Sequence, residues 1–460
     1  MSLVLTEAIA SRFENVVGSS YVRTEPGHLA GYEINGVAPA ISVQPATAEE
    51  AAAIVRIAVE EKCNVVPCGE RTALAIGLIP PRYDLALDMT RVEGIVHYDP
   101  GDLTISVNAG TRLATLSRAL AEKNQFLPLE VPFFERATVG GAIASGLDSP
   151  LRHFYGTARD FTIGAEFVDG TGAIAKSGGR VVKNVTGYDF HKLMIGSLGS
   201  LAVITRVNFR TYPLPTSRRG FVASFVEADG AFEFVRELVG SPLTPVVLEV
   251  ISRTFVDLFL GEKLSSASLF QNARAWTVCV GIEGSNEVCE RYERDLARLA
   301  RTTSAENAML VNDSEFAALL RALREAPTLM KTGAAHSVVL RLVTLPGNLR
   351  ELLNVLSNFA SSSQISCAVL VRSASIVYVA ASPGEGDDRA LKQIASLCKS
   401  IETMRTKMEL SGAVLFCPPR WKAELSVWNP TADALDIARR VKSSFDPGGT
   451  FAAGRFVGGI

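Results

Sequence analysis

The run over residues 178–207, GGRVVKNVTGYDFHKLMIGSLGSLAVITRV, limits most strongly what this chain can fold into. A Gly178-Gly179 turn leads to the polar patch Lys183-Asn184-Val185-Thr186-Gly187-Tyr188-Asp189. A short helical run over 191–195 follows, then the small-residue loop Gly196-Ser197-Leu198-Gly199-Ser200 and a β-branched strand over 201–207. Glycines at 196 and 199 lack a Cβ and tolerate positive φ, so main chain there can approach another group closely. A strand follows at once, which holds the loop at the end of a sheet. That placement suits a flat, phosphate-bearing cofactor. The plain alternative is a Gly-rich connection between two elements, because glycine loops by themselves are weakly specific.

A chain of 460 residues is too long for one ordinary domain and suggests two or three. The apolar share of 47% is enough for a sizeable core. A net charge of −2 gives no basic footprint for nucleic acid. The seven cysteines, at 63, 68, 279, 289, 367, 398 and 417, form no CxxC pair. That pattern implies reduced thiols in a cytoplasmic protein and excludes an iron–sulfur cluster on this chain. The first residues carry Glu7, Arg12 and Glu14 on an amphipathic helix over 3–17, unlike a signal peptide. No apolar stretch reaches membrane-spanning length.

After an irregular segment, a βαβ unit begins. A strand over 40–43 precedes a helix capped by Thr47, with Glu50 three residues later as in a capping box. The strand over 64–67 runs into Cys68-Gly69-Glu70-Arg71-Thr72-Ala73-Leu74, a turn where backbone N–H groups can converge on an anion. Arg71 adds positive charge, Thr72 a hydroxyl, and Glu70 a carboxylate that would repel an anion unless it points away to solvent. Strands over 85–89, 92–98 and 103–107 follow, and Thr111 is the expected N-cap of a helix to 124. The segment Ala137-Thr138-Val139-Gly140-Gly141-Ala142-Ile143-Ala144-Ser145-Gly146 reads either as a helix start facing an anion or as close helix–sheet packing. A strand over 161–168, the Asp169-Gly170-Thr171-Gly172 turn and a return strand over 173–176 complete the region. Beyond Arg218, alternating strands and helices, among them a helix over 314–324, read as an α+β domain on a mainly antiparallel sheet. A helix over 431–444 precedes the closing FDPGGTFAAGRF.

Together, residues 37–216 resemble the FAD-binding (PCMH-type) domain of the vanillyl-alcohol-oxidase/p-cresol-methylhydroxylase superfamily. Four segments in order carry the likeness: 67–72 after a strand, Ala109-Gly110-Thr111, Thr138-Val139-Gly140-Gly141 with Ser145-Gly146, and 183–205. The phrase VKNVTGYDFHKLMIGSLGSLAVIT and the FDPGGTFAAGRF ending are similar to the lactate/glycolate dehydrogenase branch. Within that branch the likeness is greatest to the FAD-binding (E) subunits of bacterial glycolate oxidase. The implied fold is α+β: a two-lobed FAD-binding domain over 37–216 after a lead-in over 1–36, an α+β cap domain over 217–430, and a tail over 431–460 returning to the FAD domain.

The resemblance implies that main-chain N–H groups of Gly69, Glu70, Arg71, Thr72 and Ala73 hold the FAD pyrophosphate. It adds Thr138, Gly140, Gly141, Ser145 and Gly146 to that site. Adenine and ribose fall near Arg159-Asp160 and Val203-Ile204. The family loop is usually G-G-G-T, where this chain has Gly69-Glu70-Arg71-Thr72, and Ala452-Ala453 replace Asn-Pro in the tail. The loop has no flavin-linking histidine, which implies non-covalent FAD. The five histidines, at 28, 97, 153, 191 and 336, include no pair with metal-ligand spacing, unlike the catalytic members' histidine cluster, so no metal site is expected.

The implied activity is oxidation of a small 2-hydroxy acid such as glycolate or lactate. Hydride passes to flavin N5 while a base, not identified by the sequence, takes the hydroxyl proton. The implied partners are a sister flavoprotein subunit and an iron–sulfur subunit, and the implied location is cytoplasmic, peripheral to the inner membrane through those partners. The alternatives are a self-sufficient FAD oxidoreductase for another alcohol or a sugar, and a weakly FAD-binding structural subunit.

Overall fold

The computed structural model describes residues 7–180, 187–260, 267–270, 273–332, 336–428 and 430–460. Contacts divide the chain into two compact units. The first comprises Met1–Leu147, Thr157–Leu214 and Pro430–Ile460, and the second Asp148–Gly156 and Pro215–Asn429. The sequence-based division runs the first domain unbroken from 37 to 216. In the structure the chain leaves unit 1 at Asp148 and re-enters it at Thr157.

The first lobe of unit 1 contains α1 (Glu7–Val17), β1 (Val22–Arg23), β2 (Ile41–Val43), α2 (Ala48–Glu60), β3 (Val65–Cys68) and β4 (Leu85–Asp88). Its sheet has the order β1-β2-β4-β3, with β4 parallel to both β2 and β3. Thr47 Oγ1 accepts the Glu50 N–H at 3.1 Å and caps α2. The Glu50 carboxylate reaches one residue beyond the expected box and accepts the Ala46 N–H at 2.7 Å. Ala51, Ala52, Ile54, Val55 and Ala58 form the buried stripe of α2 and pack with Ile41, Val43, Val65, Leu85 and Leu87.

The second lobe contains β5 (Ile95–Asp99), β6 (Thr104–Asn108), α3 (Leu113–Ala121), β7 (Gln125–Phe126), α4 (Val139–Ser145), β8 (Thr162–Val168), β9 (Ile174–Gly178), β10 (Val203–Arg210) and β11 (Tyr212–Pro213). Its main sheet is antiparallel with the order β5-β6-β10-β8-β9. Asp169 Oδ1 accepts the N–H groups of Thr171 and Ala173 at 2.8 and 3.0 Å, which closes the β8–β9 hairpin. Thr111 is not the N-cap of α3. That place is taken by Arg112, because the Thr111 hydroxyl is used by the Gly94 N–H at 2.8 Å.

The C-terminal helix, Ala432–Phe445, and the residues after it complete unit 1. Phe451 is fully buried. The Val65 N–H donates to Thr450 O, and the Ala452 N–H donates to Val65 O, both at 2.8 Å. Lys442 Nζ donates to Ser200 O at 2.7 Å, Asp446 Oδ2 at 2.6 Å and Phe451 O at 2.8 Å, tying the tail to the residues just before β10.

Unit 2 is built on β12 (Ser217–Phe225), α5 (Ala228–Val239), β13 (Val247–Ser252), β14 (Trp276–Gly284), α6 (Asn286–Thr302), β15 (Asn307–Val311), α7 (Asp313–Thr332), β16 (Val338–Val343), α8 (Leu349–Ser363), β17 (Ser366–Arg372), β18 (Ile376–Ser382), α9 (Asp388–Met404) and β19 (Ser411–Phe416). Its sheet has the order β15-β12-β14-β13-β17-β18-β16-β19, and each pairing is antiparallel. The edge strands β15 and β19 are absent from the sequence-based reading. Helix α7 continues through Pro327 beyond its expected end at 324, because Ala326, Pro327 and Met330 are buried and packing outweighs the proline.

Candidate cofactor site

The site is built on the loop that leaves β3. Among the described residues, none of the amides from Gly69 to Leu74 donates to a protein carbonyl. Arg71 sits at φ 61°, in the left-handed region that a non-glycine residue rarely adopts. Successive amides in such a turn form a concavity for an anion. Gly69 is required by sterics, since a Cβ there would collide with Thr138 Oγ1.

Thr138 caps α4, its Oγ1 accepting the Gly141 N–H at 3.3 Å. The other amides at the helix start are also engaged. Val139 donates to Thr111 O, Gly140 to Ala109 O and Ala142 to Thr138 O, each at 2.8 Å. Gly140 and Gly141 therefore serve by being small. A Cβ on Gly140 would lie 2.8 Å from Ala109 Cβ. The unengaged donors belong to the 69–74 loop.

The charges around the loop are mostly neutralised. Glu70, the one carboxylate in the loop, is 14% exposed at its side chain and is held by Arg112, whose Nε donates to Oε1 at 2.9 Å. Arg136 NH2 donates to Glu70 O at 3.2 Å. Arg71 is spent on Asp88, with NH1 3.2 Å from Oδ2, and its guanidinium lies 4.5 Å over the Tyr32 ring. Asp88 Oδ2 also accepts the Tyr32 hydroxyl at 2.6 Å and Gln44 Nε2 at 3.0 Å.

Two adjoining cavities in unit 1 follow this loop. Their linings bring together Gly69, Glu70, Arg71, Thr72, Ala73, Thr138, Gly140, Gly141, Ser145, Val203 and Ile204. Gly146, Arg159 and Asp160 are in neither lining. Gly146 is the left-handed C-cap of α4, and Asp160 Oδ2 accepts the Thr157 N–H at 2.7 Å in a capping box. Sequence reasoning missed Met89, Ala202 and Arg455, which also line the cavities. Arg455 alone had a local signal, as a basic residue in the FAD-like tail. The cleft fits a dinucleotide diphosphate: its walls are small, its loop amides are unengaged and its carboxylate is neutralised.

In the signature run, Gly196 and Gly199 take φ values of 78° and 71°. The Gly196 and Leu198 N–H groups donate to Ile143 O and Ala144 O at 2.9 and 2.8 Å, docking the loop on the end of α4. Lys183 and its neighbours over 181–186 lie outside the described residues. His191 is buried, with Nδ1 3.1 Å from Ser177 Oγ, which donates to Tyr188 O at 3.0 Å. Burial lowers the His191 pKa. His336 is exposed, at φ 59°. Among the described residues no cluster suits a metal ion. Cys68 is buried, and burial holds its thiol well above the ordinary range.

Unit 2 holds a buried polar cluster that sequence reasoning did not find. Asp148 Oδ2 accepts Arg341 Nε at 2.6 Å and the Tyr378 hydroxyl at 3.0 Å, and Arg152 pairs with Oδ1. Arg372 NH1 donates to Asp148 O at 2.7 Å, and its Nε to Glu249 Oε1 at 2.6 Å. Glu249 Oε2 is buried without a hydrogen-bond partner, and burial pushes this carboxyl up to about 7. The signal was available: Glu249 and Arg341 interrupt runs of apolar residues, and Arg372 ends one.

The fold and cleft define a protein that binds a phosphate-bearing dinucleotide, and comparison with known proteins supplies the flavin. Residues 39–178 match the FAD binding domain family, and residues 214–368 match the C-terminal domain of FAD linked oxidases. The chain is 40% identical to glycolate oxidase subunit GlcE of Escherichia coli (strain K12) over 162 residues, 35% of this chain and 46% of that protein. It is 25% identical to glycolate oxidase subunit GlcD of Bacillus subtilis (strain 168) over 329 residues, 71% of this chain and 69% of that protein. The match thus spans about half the length of the GlcE relative. The structure of p-cresol methylhydroxylase with substrate bound superposes with a TM-score of 0.77 at 15% identity, covering 99% of this chain and 98% of that one, a likeness of fold.

The chain belongs to the superfamily of FAD-linked oxidases with a PCMH-type FAD-binding domain, and its cofactor is FAD.

Proposed function

We propose that the chain is an FAD-linked dehydrogenase subunit for a small 2-hydroxy acid of the glycolate or lactate class, acting with a sister flavoprotein subunit and an iron–sulfur subunit. The observation that carries this reading is the similarity to a glycolate oxidase subunit over 162 residues, joined to a cleft whose loop presents unengaged amides. Bound FAD supplies a two-electron acceptor for the oxidation of a hydroxyl-bearing carbon. The amides over 69–73 bind the diphosphate, and Thr138, Gly140, Gly141 and Ser145 form the wall beside it. Val203 and Ile204 shape the apolar side of the cleft and exclude water there. Cofactor binding is non-covalent: the loop thiol, Cys68, is buried and held protonated. Among the described residues no helix is long and apolar enough to cross a membrane, so membrane attachment through partners belongs to this proposal.

A second reading, an FAD-binding subunit that takes no substrate itself, is favoured by one observation. In unit 2, Arg341 and Tyr378 could recognise a substrate carboxylate but are occupied by the chain's own Asp148. One experiment separates the two readings. The purified chain is expected to carry a flavin absorption spectrum that bleaches anaerobically with one of a panel of D-2-hydroxy acids. A flavin spectrum that stays oxidised with each acid, and bleaches only after a partner subunit is added, selects the second reading.

A further inference from the structure

Arg455 is 2% exposed and lines the cavity beside the 69–74 loop. Its NH2 donates to Leu74 O at 2.6 Å and Ile76 O at 2.7 Å, which fixes the guanidinium against the exit of that loop. Its Nε is buried and has no hydrogen-bond partner. Among the described residues no carboxylate pairs with it. The ionisable groups close enough to influence it are Tyr83 and Cys68, both kept neutral by burial. Burial pushes the guanidinium down to about 10, still charged at neutral pH. The contrast with its neighbours is sharp: Arg112 is neutralised by Glu70, and Arg71 by Asp88.

A buried cation without a counter-ion is costly, and such charges are normally paired. The missing partner is an anion, and the cavity that Arg455 lines is the one whose loop amides also lack acceptors. We propose that Arg455 is the side-chain cation that binds the FAD diphosphate, completing a cradle otherwise made of main-chain N–H groups. This rests on the cleft being the FAD site. Two carbonyls and one phosphate oxygen then use the guanidinium, and the tail is coupled to cofactor binding. A cation serves here where a further neutral donor would not, because a charge-assisted bond to an anion is roughly twice as strong.

The test is FAD titration of the apoprotein, followed by quenching of flavin fluorescence, for wild type, Arg455→Lys, Arg455→Gln and Gly69→Ala, with the apoprotein melting temperature of each. Glutamine keeps donors for the Leu74 and Ile76 carbonyls but not the charge, and lysine keeps both. The expected result is that Arg455→Gln binds FAD about 30-fold more weakly and Arg455→Lys stays within about 5-fold of wild type. The two apoproteins are expected to melt at similar temperatures. Raising the salt concentration should weaken FAD binding by wild type more than by Arg455→Gln. Glutamine binding within about 3-fold of wild type, or lysine binding as weakly as glutamine, overturns the proposal. If Gly69→Ala weakens FAD while Arg455→Gln does not, the Arg455 inference fails and the cleft stands. If neither variant changes FAD affinity, both fail.

Discussion

Glu70 puts a carboxylate into a loop whose amides await an anion, and a residue outside the loop resolves the conflict. Arg112, just before α3, neutralises it. Arg112→Ala should therefore expose the repulsion and weaken FAD binding about 5-fold, the size of a partly screened charge interaction. Adding Glu70→Gln should restore most of that loss, as a double-mutant titration would read. Asp148 is the corresponding case in unit 2. Burial pushes its pKa up, but Arg341, with Arg152 and Arg372, outweighs that and holds the carboxyl below its ordinary value. The folded chain thus binds this proton more weakly than the unfolded chain. The resulting stabilisation is fully present above the ordinary carboxyl range and is lost as the pH falls through the folded value. Asp148→Asn should cost about 3 kcal/mol near neutral pH by urea unfolding, with the gap to wild type narrowing as the pH drops below 4.

For the elements, the loop after β3 and the helix α4 form one steric unit. Gly69 and Thr138 compete for the same space, since any Cβ at 69 meets the hydroxyl that caps α4. Gly69→Ala should destabilise unit 1 by about 2 kcal/mol through overpacking and lower FAD affinity. Thr138→Ala alone should cost about 1 kcal/mol through the lost cap. The double variant should be more stable than the sum of the single losses, because the collision is gone, and unfolding of the three variants measures this. Much of this was legible in the sequence. Helix α2 was marked by Thr47 with Glu50 three residues later, and the β8–β9 hairpin by Asp169-Gly170. Other elements were misread where tertiary partners decided: Thr111 gave its hydroxyl to Gly94, α7 ran through Pro327, and β15 and β19 exist as strands because a sheet edge was there to pair with.

For the whole molecule, unit 1 depends on residues at both ends of the chain. Phe451 is fully buried, Val65 exchanges hydrogen bonds with Thr450 and Ala452, and buried Lys442 holds Ser200 O and Phe451 O. A chain ending at 429 should lose FAD binding and the cooperative melting of unit 1. Soluble truncated protein that binds FAD with wild-type affinity would contradict this. The sequence by itself determined the kinds of elements and the glycine loops, because backbone periodicity, positive φ and missing Cβ atoms are local properties, and its resemblance to a known family implied the cofactor class. Only the tertiary structure decided which charges are cancelled. Glu70 meets Arg112 and Arg71 meets Asp88, while Arg455, 381 residues from Leu74, arrives beside the same cleft with no acid among the described residues to meet it. Charge balance depends on distance through space and on burial, and neither can be read from spacing along the chain.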